Sequence, residues 1–131
     1  MKENLTVFEA FNDGCMRLPT GESQFSDIAW SKHPVFEGVE LKHILTAKDT
    51  NGQFSYHLVR IAPGCSIRNH VHEKQLETHE VIAGSGTCVN NGTLLNYETG
   101  IISIFPIGIP HEVTASSEGL YLFAKFFPAL C

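Results

Sequence analysis

His70, His72 and Glu77 are the residues whose types and spacing are best suited to chemistry. On a β-strand, residues two apart point to the same face, with Cα atoms about 6.5 Å apart. Two imidazoles placed in this way can bind one metal ion through nitrogen. The polar residues 73–75 predict a turn that brings Glu77 back over the same face. Taken alone, the pattern fits two surface histidines at a strand end equally well.

Strands are the elements that must position these residues, and the chain is rich in strand signals. From residue 40 onwards, short apolar segments alternate with turns that contain Gly, Pro or Asn. This spacing is typical of a sandwich or a closed barrel. We predict turns at residues 49–52, 84–86 and 116–119, a hairpin at residues 90–92, and no helix of more than two turns.

Two spaced motifs contain the candidate residues and one further histidine. The first motif comprises Gly64, His70, His72, Glu77 and Gly84. The second comprises Gly100, Pro106, Gly108, His111 and Ala115. Together they resemble the two motifs of the cupin family at every defined position except the last, where cupins often carry Asn and this chain has Ala115. Nine matching positions in order make a far more specific signal than an isolated His-x-His pair.

The resemblance implies an all-β fold, the cupin double-stranded β-helix or jelly-roll barrel, with a metal ion inside. The metal ligands of the family correspond here to His70, His72, Glu77 and His111. Three imidazoles and one carboxylate would leave one or two positions open to water or substrate. We expect one divalent transition metal ion, and Zn, Fe, Ni and Mn all suit this set, so the ligands do not identify the metal.

Two further histidines are candidates for the pocket. By strand alternation His79 shares a face with Glu77 and would point into the barrel. It could be a fifth ligand, a replacement for Glu77 or a catalytic base, and equally a hydrogen-bonded histidine one layer below the site. His57 shares a face with Val59 and Ile61, so it could reach the pocket, although a position in the core or at the rim is the simpler interpretation.

The chain divides into an N-terminal arm, residues 1–39, and a barrel, residues 40–131. The last predicted strand, residues 120–127, is apolar on both faces, so one face fills the barrel and the other needs cover. Either the arm or a second subunit could provide that cover. Because cupins are commonly dimers, the resemblance also implies a homodimer.

Composition excludes several classes of partner. A chain of 131 residues with net charge −5 and no Lys or Arg cluster is unsuited to nucleic acid. No apolar run approaches the ~18 residues of a membrane span, and residues 1–5 lack the apolar core of a signal peptide. We therefore expect a cytoplasmic protein that binds a small molecule. The four cysteines form no C-x-x-C pair and are expected to be free thiols, mostly buried.

These observations favour a metal-dependent enzyme that acts on a small molecule. The resemblance implies dioxygenase, isomerase, decarboxylase or lyase chemistry at a site of three His and one Glu. The alternative is a non-catalytic cupin that binds or senses a small ligand. A barrel in which the metal is only structural is the third hypothesis.

Overall fold

The computed structural model describes residues 5–131, which form two short helices and ten strands. The helices are α1 (Leu5–Asn12) and α2 (Ala47–Thr50). The strands are β1 (Cys15–Leu18), β2 (Gly21–Gln24), β3 (Ser31–Lys32), β4 (Val39–Leu45), β5 (Ser55–Ile61), β6 (Ser66–His70), β7 (Leu76–Asn90), β8 (Thr93–Glu98), β9 (Ile102–Phe105) and β10 (His111–Phe127). A 3₁₀ turn spans Phe25–Asp27.

The two longest strands, β7 and β10, each take part in two layers of sheet. In the first layer the end of β10 lies between β5 and the start of β7, with β4 and β3 beyond β5 and with β9 beside β7. In the second layer the start of β10 lies between β6 and the end of β7. The end of β7 also pairs with β8. All these pairs are antiparallel, and the predicted all-β jelly-roll architecture is confirmed.

The main core lies between the two layers because alternate residues of each strand point inward. Val59 of β5, Leu122 of β10 and Val81 of β7 come from the first layer, and Cys88 and Val113 come from the second. All are at most 3% exposed and belong to one apolar cluster. The two sheets are therefore held together by burial of apolar surface.

A second apolar cluster lies under the N-terminal segment. Phe8 of α1 packs on Tyr121 with ring centroids 4.7 Å apart, and Phe11 packs edge-on against Phe123 at the same distance. Phe25 is also buried in this cluster. The sequence predicted that either the N-terminal arm or a second subunit covers the outer face of β10. In this structure α1 of the same chain covers it. The homodimer stays a prediction.

The predicted turn at residues 49–52 does connect the antiparallel strands β4 and β5, but it is not of the predicted hairpin type. The chain forms α2 there, and the Asp49 carboxylate accepts a hydrogen bond of 2.9 Å from the backbone N–H of Thr46. This contact belongs to a capping box, which stabilises a helix N-terminus. Asn51 adopts the left-handed conformation that ends the helix. The Asn-Gly pair therefore ends a helical turn instead of forming a two-residue hairpin, whereas residues 90–92 do form the predicted hairpin.

The predicted strand ends at residues 84–86 and 116–119 are also wrong, because β7 and β10 continue through them. Gly84 and Gly86 lie where the two strands cross between layers. A Cβ atom on either would collide with the backbone of β10, at the carbonyl groups of Gly119 and Thr114 respectively. These glycines allow close approach of two strands instead of ending one. The eight-residue α1 just exceeds the predicted limit of two turns.

Candidate metal centre

The four predicted ligands come from three strands and one loop. His70 is the last residue of β6, Glu77 is the second residue of β7, and His111 is the first residue of β10. His72 lies beyond the end of β6, so the prediction that both histidines share one strand is wrong. Their rings still lie close together, with centroids 4.9 Å apart.

The distances between these side chains suit one ion. Glu77 Oε1 lies 2.9 Å from His111 Nε2 and 3.3 Å from His72 Nε2. One ligand atom from each of the four residues lies within 4.8 Å of all the others. Atoms bound at about 2.0–2.2 Å to one ion lie about 2.9–3.5 Å apart at adjacent positions and about 4.2 Å apart at opposite positions. The side chains therefore fit a single metal.

Backbone carbonyl groups orient two of the imidazoles. His70 Nδ1–H donates to the carbonyl of Arg68 at 2.8 Å, and His111 Nδ1–H donates to that of Ile109 at 3.1 Å. Since a carbonyl can only accept, each Nδ1 carries the proton in these contacts, so Nε2 is the nitrogen that would bind an ion. Contacts of this kind fix the tautomer and ring orientation of metal-binding histidines.

Burial and neighbouring charges keep the site ready to bind a cation. Burial raises the pKa of Glu77, but the hydrogen bonds and charges of His79 and His111 outweigh it and hold the pKa well below its usual range. Burial lowers the pKa of His70 and of His72. At neutral pH Glu77 is therefore a carboxylate, and His70 and His72 are neutral imidazoles, which are the forms that bind metal.

His79 contacts the carboxylate of Glu77 and lies outside the group of four candidate ligands. Its Nε2–H donates to Glu77 Oε2 at 2.8 Å, while Glu77 Oε1 faces His72 and His111. His79 Nδ1 also lies within hydrogen-bonding distance of the hydroxyl of Tyr97, at 3.1 Å. Both ring nitrogens of His79 are thus engaged. Its predicted roles as ligand or base stay predictions, and the geometry suits a residue that orients Glu77.

His57 points inward, as its strand face predicted, but its ring is fully buried. Its Nδ1 lies 2.8 Å from His43 Nδ1, and its Nε2 lies 2.8 Å from Ser55 Oγ. Phe126 lies beside it, with ring centroids 5.5 Å apart, and the same phenyl ring lies 5.1 Å from that of His72. His43 contacts the cavity, whereas His57 lies behind it.

Acid should destabilise the protein through His57, because burial and the nearby His43 lower its pKa from 6.5 to about 4. Between these values the unfolded chain binds a proton that the folded chain does not. Stability is therefore full above pH 6.5 and falls as the pH approaches 4. With chelator present, we expect this residue to cost about 2 kcal/mol of unfolding free energy between pH 7 and pH 5. Urea unfolding should show a correspondingly smaller loss for His57→Gln, and equal losses would contradict the prediction.

A cavity of about 310 Å³ opens onto three of the four candidate ligands and onto His79. His70, His72 and Glu77 form one part of its wall. The remaining wall is mostly apolar, and it includes Val39, Leu41, Val59, Ile67, Ala124, Phe126 and Leu130. Lys32 and His33 supply polar groups. A small molecule with an apolar body fits such a wall.

Sequence analysis missed two residues of this region. Neither His43 nor Tyr97 was among the candidate residues. The register that places His43 opposite His57 follows from strand pairing, which a single sequence does not reveal. Tyr97 reaches His79 from another strand of the opposite layer, and no spacing signal links the two.

The remaining predictions concern thiols and membranes. All four cysteines are free, as predicted, but only Cys88 is buried; Cys15 and Cys65 are partly exposed and Cys131 is exposed. Among residues 5–131, no helix is long and apolar enough to cross a membrane.

Comparison of whole structures shows proteins with the same fold. A predicted oxalate decarboxylase from Thermotoga maritima is 21% identical, with a TM-score of 0.72 over 79% of this chain and 95% of that one. An RmlC-like cupin from Shewanella frigidimarina is 16% identical, with a TM-score of 0.71 over 82% and 90%. Oxalate decarboxylase of Bacillus subtilis, studied for its Mn(II) centres, is 22% identical, with a TM-score of 0.70 over 82% of this chain and 29% of that one.

Sequence comparison identifies the family. Comparison with curated proteins gives no significant match. The model of the cupin domain matches residues 57–123, which is half of the chain and includes all four candidate ligands. This match, the jelly-roll layers and the four converging side chains agree with one another. The chain therefore belongs to the cupin family.

Proposed function

We propose that this protein is a metal-dependent enzyme that acts on a small molecule at the centre formed by His70, His72, Glu77 and His111. The observation that carries the proposal is the convergence of these four side chains, three of which line a mostly apolar cavity. A purely structural metal would not need a cavity beside it, and a closed structural site leaves no position for a ligand. One divalent ion at this centre would act as a Lewis acid toward a bound carbonyl or carboxylate group.

The chain's own residues would provide binding, orientation and exclusion of water. The apolar wall would hold the body of the substrate and keep water from its reacting group. Glu77 and the three histidines would fix the position of the polar head through the ion. Since the wall is mostly apolar, we favour a substrate with an apolar body and one metal-binding head group over a small dianion.

A substrate screen tests the proposal. Protein loaded separately with Zn, Mn, Ni or Fe(II) would be incubated with carbonyl and carboxylate compounds, with and without O₂, and the products followed by mass spectrometry. Decarboxylation belongs in the screen because two of the similar structures are described as oxalate decarboxylases, one of them as predicted. Turnover by the loaded protein that His111→Ala lacks would support the proposal. Saturable binding with no turnover under any metal would contradict it.

The engagement of His79 favours a second candidate, a ligand-binding or sensing module. Both of its ring nitrogens are occupied, so it does not offer a free base to a substrate. In that case the same screen would find compounds that raise the melting temperature of the loaded protein and are recovered without chemical change. The homodimer and the cytoplasmic location are predictions that gel filtration and cell fractionation would test.

His79 is expected to act as a positioning residue for Glu77. Replacing His79 with Phe leaves Glu77 Oε2 without this hydrogen bond, so Mn(II) affinity should fall about 10–100-fold while binding stays at one ion per chain. Tyr97→Phe keeps the bond to Glu77 and should have a smaller effect. Calorimetric titration of both variants measures the affinities. Loss of the ion altogether would make His79 a ligand, and lost turnover at unchanged affinity would make it a base.

A further inference from the structure

A second cluster of metal-ligating side chains lies on β4, β5 and the segment that follows β10. His43 and His57 are paired directly across β4 and β5. Their Nδ1 atoms lie 2.8 Å apart, and Cys131 Sγ lies 3.7 Å from His43 Nδ1. One ligand atom from each of the three residues lies within 4.8 Å of the others. None of them belongs to the four-residue centre, and the cupin motifs do not include them.

The distances are close to those of a tetrahedral site. Two nitrogens on one zinc ion lie about 3.3 Å apart, and a nitrogen and a thiolate sulfur lie about 3.6 Å apart, for bonds of about 2.05 Å and 2.3 Å. The observed sulfur–nitrogen distance matches within 0.1–0.2 Å of that estimate. The two imidazoles lie at hydrogen-bonding distance, so an ion in place of the shared proton would separate them by about 0.5 Å.

Neighbouring groups hold the three side chains in place. Ser55 Oγ lies 2.8 Å from His57 Nε2 and accepts a hydrogen bond of 2.9 Å from the backbone N–H of Leu130. The backbone N–H of Ala47 donates to the carbonyl of Cys131 at 2.6 Å. The first contact orients the imidazole, as outer contacts of metal-binding histidines commonly do. The other two fix the backbone on both sides of the thiol, so the cluster is built before any ion binds.

We propose that His43, His57 and Cys131 form a second metal site, selective for zinc-type ions that accept a thiolate ligand. Two imidazoles and one thiolate suit zinc or cobalt(II) and do not suit manganese, which prefers oxygen ligands. The exposed Cys131 gives an ion access from solvent and leaves a fourth position for water. A bound ion would join β4 and β5 to the segment after β10, and Phe126 lies beside both His57 and His72. The site does not depend on the proposed enzyme function.

Cobalt(II) provides the test because thiolate coordination gives it a near-ultraviolet charge-transfer band that imidazole and carboxylate ligands do not give. The chain would be prepared without a histidine tag, reduced, stripped with chelator and titrated with cobalt(II). We expect two ions per chain and the thiolate band. Cys131→Ser should lose the band and one ion, while His111→Ala should lose the other ion and keep the band. His43→Ala should behave like Cys131→Ser.

Cys15→Ser is the matched control, because it removes a partly exposed thiol outside the cluster and should keep both the band and the stoichiometry. Circular dichroism would establish that each variant is folded. Because the Cys131 side chain is exposed, Cys131→Ser is the substitution least expected to disturb folding. Absence of the band in the unaltered protein would overturn the proposal. So would a band that survives Cys131→Ser, since another thiol would then hold the ion.

Discussion

Manganese(II), added to chelator-treated protein at 100 times its dissociation constant, is expected to raise the melting temperature by about 10 °C. Binding at that concentration adds about 2.7 kcal/mol to the stability of the folded state. The rise in melting temperature requires that the ion bind only the folded chain. It does so because His70, His72, Glu77 and His111 form one site only when the chain is folded. Differential scanning fluorimetry across a manganese titration measures the shift.

His111→Ala should abolish the manganese-dependent rise, since it removes the ligand that β10 supplies. The variant's own melting temperature can fall as well, because His111 is buried and stacks on Phe105 with ring centroids 4.0 Å apart. The rise, not the starting temperature, is therefore the quantity to compare. His33→Ala is the matched control: it removes a histidine outside both clusters and should keep the rise. A rise of the same size in His111→Ala would remove this residue from the site.

Gly84→Ala is expected to destabilise the fold by about 2–5 kcal/mol. Gly84 has a φ of +73°, and a Cβ there would collide with the carbonyl of Gly119. The substitution therefore combines the cost of a left-handed L-residue with that of separating β7 from β10 where they cross. Urea unfolding followed by circular dichroism gives the change in free energy.

Gly64→Ala separates these two costs. Gly64 has almost the same φ, +75°, but no atom lies within 4 Å of the position of an added Cβ. We expect it to cost only about 1–2 kcal/mol. If both variants lose the same stability, the strand crossing tolerates a methyl group and the role given to Gly84 is wrong.

The site was more predictable than the strands that carry it. His70, His72, Glu77 and His111 occupy fixed positions in two motifs, so the motif resemblance pointed to them before any strand boundary was known. The structure brings all four within reach of one ion. That His79 contacts the second oxygen of Glu77 was not predictable, because alternation gives the face of a residue and not its distance from an ion.

Long-range pairing accounts for most of what sequence reasoning missed. Glycine normally indicates the end of a strand, and residues 84–86 carry two of them. Here their role depends on β10, whose residues are far along the chain. The contact between His43 and His57 likewise depends on the register of β4 against β5. A local pattern contains neither fact, because each is decided by which strands become neighbours.

The position of β10 has a consequence for the order in which the molecule can be completed. This strand lies inside both layers, between β5 and β7 in one and between β6 and β7 in the other, and it follows all the other strands in the chain. During synthesis domains fold as their segments emerge from the ribosome. Neither layer can close until residues 111–127 have emerged, so the nascent chain carries three of the four candidate ligands without a folded site for them. Metal capture would therefore be a late step that follows completion of the chain through β10.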